Sequence, residues 1–151
     1  MDIVLLPEAV ACACADTQPQ VLERLAALFA RAYDLDEAEV AQRLADREAL
    51  GSTGFGRGIA IPHCRIASVR HPTMALLKLG RPVDFRAADA MPITLAIGLV
   101  SPEEGGMAHL HALAAISRFT RDEAMLSLLC EAPDADALFA IFDNHLLRDA
   151  A

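Results

Sequence analysis

In "GIAIPHCR", residues 58–65 of this 151-residue chain, an apolar run meets Pro62 and His63 follows directly. Proline has no N–H to give a neighbouring strand, so pairing is expected to weaken or end at Pro62 and leave His63 projecting from a strand end. Loops at strand ends are where sites are commonly built. Three readings of His63 stay open: a packed structural histidine, a metal ligand and a nucleophile. Just upstream, Gly51, Gly54, Gly56 and Gly58 fall within eight residues, with Ser52 and Thr53 among them. Glycine lets backbone N–H groups approach an anion, and hydroxyls add donors. Ser52, Thr53, Gly54, Gly56 and Gly58 are therefore a candidate phosphate loop. Arg47 and Arg57 flank it, and a guanidinium fork suits a phosphoryl group. Arg57 reads better as a solvated loop charge.

His109 and His111 open "MAHLHALAAISRFT". Residues two apart on a helix do not share a face. With Leu110, Leu113, Ala114 and Ser117 turned to the core, His111 lies with Ala115 and Arg118 towards solvent, and His109 sits in the first turn. Free N–H groups there attract anions, and the positive end of the helix dipole holds a histidine neutral. A neutral imidazole can attack phosphorus; an imidazolium cannot. Ordinary partial burial is the plainer reading of His109. His71, before Pro72, and His145, near the C-terminus, read as solvated. His63, Cys64, His109 and His111 make a zinc set on paper, but H-x-H across a helix start is poor geometry, so metal ranks below phosphate. The patterns G-x-x-x-x-G-K-[ST], G-x-G-x-x-G and G-x-S-x-G are all missing, which removes the common nucleotide and serine-hydrolase signals.

These side chains need a scaffold. Residues 17–33 carry Val21, Leu22, Leu25, Leu28, Phe29 and Ala32 at helical spacing, with Thr17 as cap and Pro19 in the first turn. Asp36 and Glu39 resemble a capping box for a second helix through about Leu50. "GSTGFGRGIAIPH" reads as a loop with unusual backbone angles. Residues 73–80 and 92–100 read as strands separated by "RPVDFRAADAM". Helices follow over 107–120, 122–131 and from a cap near Asp134 onward. Helices, strands, then helices on a chain of this length predict one α/β domain, 1–151, with a sheet covered by helices.

The chain is 54% hydrophobic and carries a net charge of -8. That balance argues against general nucleic-acid binding and favours docking on a more basic partner. Cys12, Cys14, Cys64 and Cys130 lack zinc-finger spacing and read as reduced cytoplasmic thiols, with Cys12, Cys14 and Cys130 as small buried apolar residues. The start, "MDIVLLPEAVACACAD", has no basic residue before its apolar stretch, so secretion is rejected. No apolar run reaches membrane-span length.

"REALGSTGFGRGIAIPHCR", followed by "PVDFRAADAMPITLAIGLVSPEE" and "HLHALAAISR", resembles the enzyme IIA proteins of the fructose/mannitol class of the bacterial phosphoenolpyruvate:sugar phosphotransferase system. The likeness runs from "LLPEAV" to the last helix and is greatest to the nitrogen-related branch, enzyme IIA-Ntr, because the chain is one short domain with no fused IIB or IIC part. It implies a mixed sheet of about five strands flanked by helices on both faces. It implies that His63 accepts a phosphoryl group from an HPr- or NPr-type carrier, that His109 is the supporting histidine and that Arg47 contacts phosphate. It implies no cofactor, no metal, no nucleic acid and no membrane insertion. Potassium-transport regulators or sensor kinases are the implied downstream partners, and a weak homodimer is compatible with the family. Arg57 stands where asparagine is frequent, and Cys64 where glycine or alanine is frequent. Cys64 places a thiol beside the nucleophile, which raises oxidative sensitivity as a side expectation. The alternatives are a sugar-specific enzyme IIA serving a IIB partner, a pure interaction module and a metal-binding protein.

Overall fold

Capping side chains set the helix starts. Thr17 accepts from Gln20 N at the head of α1 (Gln18–Tyr33), and Asp36 accepts from Glu39 N at the head of α2 (Glu37–Ala49). Asp122 and Asp134 do the same for α4 (Glu123–Glu131) and α5 (Ala135–Phe142). α3 (Ala108–Arg121) follows Met107 and has no side-chain cap. The computed structural model describes residues 3–148; Met1, Asp2 and residues 149–151, the ends of the expected 1–151 domain, lie outside them. Among the described residues no helix is long and apolar enough to cross a membrane.

The strands are β1 (Val10–Ala13), β2 (Gly54–Gly56), β3 (Ile59–Ala60), β4 (His63–Ile66), β5 (Thr73–Val83) and β6 (Ile93–Pro102). They form one six-stranded mixed sheet in the order β1-β5-β6-β3-β2, with β4 also paired to β6. β5 and β6 are antiparallel, whereas β1 runs parallel to β5, and β3 and β4 run parallel to β6. The expected number was about five. β2 and β3 are too short to carry a periodic signal, and β1 lies inside the stretch that was weighed only as a leader.

Pro62 does not end the pairing. Ile59 faces Leu95 and His63 faces Leu99, the same offset on either side of the proline. Pro62 offers no N–H, but its carbonyl accepts from Leu99 N at 2.9 Å, and the ladder resumes at His63. His63 is thus the first residue of an edge strand. The glycine-rich stretch is a hairpin, β2–β3, rather than an open loop. Its turn places Arg57 at φ 57° and Gly58 at φ 84°. A left-handed backbone disfavours a side chain such as arginine's, so asparagine or glycine would sit more easily at Arg57.

Ala75 and Gly98 are paired and share one face of the sheet, while Lys78 and Leu95 share the other. α1 lies tightly on the first face: a Cβ at Gly98 would stand 2.9 Å from the Phe29 ring. α2 packs beside α1 and against β4. On the second face Lys78 Nζ donates to Ala132 O, between α4 and α5, and α3 packs on β6. Helices therefore cover both faces, around a core that includes Phe29, Phe85, Leu76, Ile97, Leu99 and Phe142.

α3 buries His109, Ala112, Ala115, Ile116 and Phe119, not the expected Leu110, Ala114 and Ser117. Treating His109 as outside the core rotated the expected stripe. His111 is exposed as expected. Cys12, Cys14 and Cys130 are exposed rather than buried; Cys12 lies on the edge strand β1, and Cys130 borders an open cavity between α4 and the sheet.

Candidate active site

β4 presents His63 half-buried at the sheet edge, and two elements reach it, one from each face. The His63 Nδ1 lies 2.7 Å from Ile61 O. A carbonyl only accepts, so Nδ1 carries the proton and Nε2 keeps its lone pair. Arg47 Nε, from α2, donates to that Nε2 at 3.3 Å, which is consistent only with a bare nitrogen there. Arg47 Nη1 is held by Gly51 O at 2.9 Å.

His109, from the first turn of α3, is 6% exposed. Its ring centroid is 5.5 Å from that of His63, with the planes at 48°. Its Nδ1 is buried and without a hydrogen-bond partner among the described residues. Burial holds the His63 pKa below the ordinary histidine value, and the Arg47 charge adds to this against the opposing Ile61 carbonyl and Glu48. Burial also pushes His109 down to about 4, with the neighbouring His63 and Arg65 contributing. Both rings are therefore neutral at pH 7.

The rings open into a cavity of about 430 Å³ bounded by Arg43, Asp46, Arg47, Leu50, His63, Cys64, Arg65 and His109. Arg43 pairs with Glu103 at 3.1 Å. A chain of net charge -8 thus places three arginines around the cavity that His63 borders. The local balance at this mouth is basic although the chain as a whole is acidic.

The structure brings His63, His109 and Arg47 together. It does not bring the glycine loop to them. Ser52 Oγ donates to Phe85 O and accepts from Gly54 N at 2.9 Å. Thr53 is buried, and its hydroxyl donates to Glu48 Oε2 at 2.6 Å. Gly54 packs on Ala87, and Gly56 and Gly58 lie beside Asp89 and Thr94 at the hairpin. None of Ser52, Thr53, Gly54, Gly56 and Gly58 lines the cavity, because the hydroxyls have nearer partners and the glycines serve the turn.

The loop instead acts on His63 at a distance. Glu48 Oε1 accepts from Thr53 N at 2.8 Å and from Gln18 Nε2 at 2.7 Å. Thr53 O accepts from Ile61 N at 2.9 Å, and Ile61 O then takes the His63 proton donor. Glu48, Arg43, Arg65 and Leu50 were missed in the sequence. Arg65 was detectable: reading "HCRI" as a strand puts residues 63 and 65 on one face.

Cys64 points the other way, towards α2. Burial pushes its thiol up to about 12, so the protonated form is favoured, which weighs against the expected oxidative sensitivity. The paper zinc set does not converge, since His111 lines a separate cavity with Arg70 and His71. Among the described residues no three His, Cys, Asp or Glu side chains form a cluster suited to a metal.

The site thus joins a mixed sheet flanked by helices to a lone-pair-bearing imidazole held between a guanidinium and a second neutral imidazole. The chain belongs to the family described as "Phosphoenolpyruvate-dependent sugar phosphotransferase system, EIIA 2", whose profile it matches over residues 5–145. It is 41% identical over 126 residues to a "Nitrogen regulatory protein" of Pseudomonas aeruginosa, covering 83% of this chain and 82% of that one. It is 35% identical over 117 residues to a "PTS system fructose-specific EIIA component" of Haloferax volcanii, covering 77% and 76%. The crystal structure of "Nitrogen Regulatory Protein IIA-Ntr" from Neisseria meningitidis superposes with a TM-score of 0.81 at 30% identity, covering 91% of this chain and 95% of that one.

Proposed function

We propose that this chain is a nitrogen-regulatory enzyme IIA that takes a phosphoryl group onto His63 Nε2 from a phosphohistidine of an HPr- or NPr-type carrier and signals by its phospho-state. The observation that carries the site assignment is the tautomer: Ile61 O holds the proton on Nδ1, so the lone pair on Nε2 faces the cavity under Arg47. The likeness to the Pseudomonas and Neisseria proteins supports the regulatory branch.

In the transfer, the N–P bond of the donor breaks and the donor nitrogen leaves with its electron pair, while the Nε2–P bond of His63 forms. No proton has to leave the acceptor ring first, because Nε2 is already bare. Arg47 Nε occupies the path of attack and must move off Nε2 onto the phosphoryl oxygens as phosphorus arrives, where it offsets charge in the transition state. His109 is neutral and nearly enclosed, so it supplies a dry wall and no competing positive charge. Exchange takes place in the cytoplasm, where phosphoenolpyruvate feeds enzyme I. Potassium-transport regulators or sensor kinases are the proposed readers of the phospho-state.

Intact mass after incubation with phosphoenolpyruvate, enzyme I and carrier tests this reading. Wild type gains one acid-labile phosphoryl group, His63→Ala gains none, and His109→Ala gains it slowly. Absence of any gain in wild type with competent carriers would sink the relay. The second reading, a sugar-specific enzyme IIA, is favoured by the Haloferax relative. Rapid onward transfer from charged protein to a fructose- or mannitol-type IIB would select it.

A further inference from the structure

Three arginines line the cavity beside His63, and two of them are committed. Arg43 is paired with Glu103, and Arg47 spends its Nε on His63 and its Nη1 on Gly51 O. Arg65 has neither an ion-pair partner nor a side-chain hydrogen bond among the described residues. It stands two residues after His63 on β4, where His63 pairs with Leu99 and Arg65 with Ser101, so both side chains leave the same face of the strand. It is half-buried and borders the same cavity. The phosphoryl group brings a charge of about −1.5 to −2 and three acceptor oxygens. Arg47, after moving, can cover only part of that. The sole carboxylate on the cavity wall, Asp46, is engaged by Gln42 Nε2 at 2.8 Å.

We propose that Arg65 is the second arm of the phosphoryl clamp: it closes on the oxygens once phosphorus is bonded to His63 Nε2 and sets how firmly this protein holds the group against its carrier. Arg47 acts on the attacking nitrogen before transfer, and Arg65 acts on the product. This rests on the relay reading above and adds a residue to it. The uncommitted fork explains why a guanidinium stands there with no carboxylate: its partner arrives with the reaction.

The test compares wild type, Arg65→Gln and Arg65→Lys, using purified carrier and enzyme I. Two quantities are read: the equilibrium constant for phosphoryl exchange with the carrier, and the ³¹P NMR pH titration of the phosphohistidine. Removing one charge-assisted contact shifts exchange towards the carrier roughly tenfold or more in Arg65→Gln. The phosphoryl titration midpoint moves to higher pH in that variant, since a nearby cation favours the dianion. Arg65→Lys recovers the midpoint but only part of the exchange constant, because an ammonium keeps the charge and loses the fork. Unchanged exchange and an unchanged midpoint in a folded Arg65→Gln protein would overturn the clamp. If wild type itself takes no phosphoryl group, the relay reading has failed instead, and the two failures are thereby distinguished.

Discussion

His109 couples protonation to folding. Its ring is enclosed, and its pKa falls to about 4, below the ordinary 6.5 that applies in the unfolded chain. The unfolded state therefore binds the proton first as pH drops. The stabilisation is fully present above about pH 6.5 and is lost as pH falls towards 4, with a slope of at most about 1.4 kcal/mol per pH unit for one proton. His63 shifts in the same direction through burial and Arg47. Urea midpoints taken at pH 7.5, 6 and 5 for wild type and His109→Gln isolate the effect. The variant has a shallower fall, whatever its absolute stability. Equal slopes in the two proteins would show that His109 is not held neutral by the fold. The same shift leaves more of His63 neutral below the ordinary histidine value than a free imidazole would be, as the proposed acceptor role requires.

At the scale of elements, the site is set by the hydrogen-bond chain that runs from α2 through the hairpin to β4. Glu48 fixes Thr53, Thr53 O fixes Ile61, and Ile61 O fixes the His63 tautomer. Glu48→Gln removes the charge and leaves one amide oxygen where two carboxylate oxygens accept three donors. The expected cost is about 1–3 kcal/mol in denaturant unfolding. Imidazole ¹⁵N shifts of His63 should move away from the Nδ1–H form, and phosphoryl uptake should slow. Unchanged ring shifts and unchanged uptake would mean that Ile61 holds the histidine without help from Glu48. This chain also marks what the sequence made legible. α1, α2, α4 and α5 begin at side-chain caps, which are local signals, and His63, His109 and Arg47 were identified and do converge. β2 and β3 were hidden because they are two or three residues long, and their existence depends on β6, which lies more than thirty residues further on. The glycines looked like an anion cradle because glycine spacing alone cannot tell a phosphate loop from a hairpin turn. Arg65 was missed because the ladder was expected to end at Pro62, so "HCRI" was not treated as a strand. The core face of α3 was misphased because a buried histidine looks polar in a pattern and apolar in a fold.

At the scale of the whole molecule, basic side chains meet an exposed apolar side chain around the His63 cavity. The chain is acidic, yet three of its 13 basic residues border the His63 cavity. Leu50 forms part of the same rim and is 84% exposed, and Met107 and Leu110 flank His109 in sequence at 58% and 50%. A lone exposed leucine is unremarkable, but apolar side chains beside a ring of arginines resemble the anchor and polar surround of a transient interface. Leu50 follows the last turn of α2 and supports little of the core, so truncating it should leave the fold intact. Leu50→Ser should therefore keep the melting temperature of wild type while raising the KM for the phosphorylated carrier about threefold to tenfold, the effect of losing a modest apolar anchor. The maximal rate should change little, because Leu50 offers neither charge nor hydrogen bond to the transferring group. A fall in kcat with KM unchanged would instead place Leu50 in the transfer step, and no change in either would move the carrier's footprint off this rim and onto the α3 side.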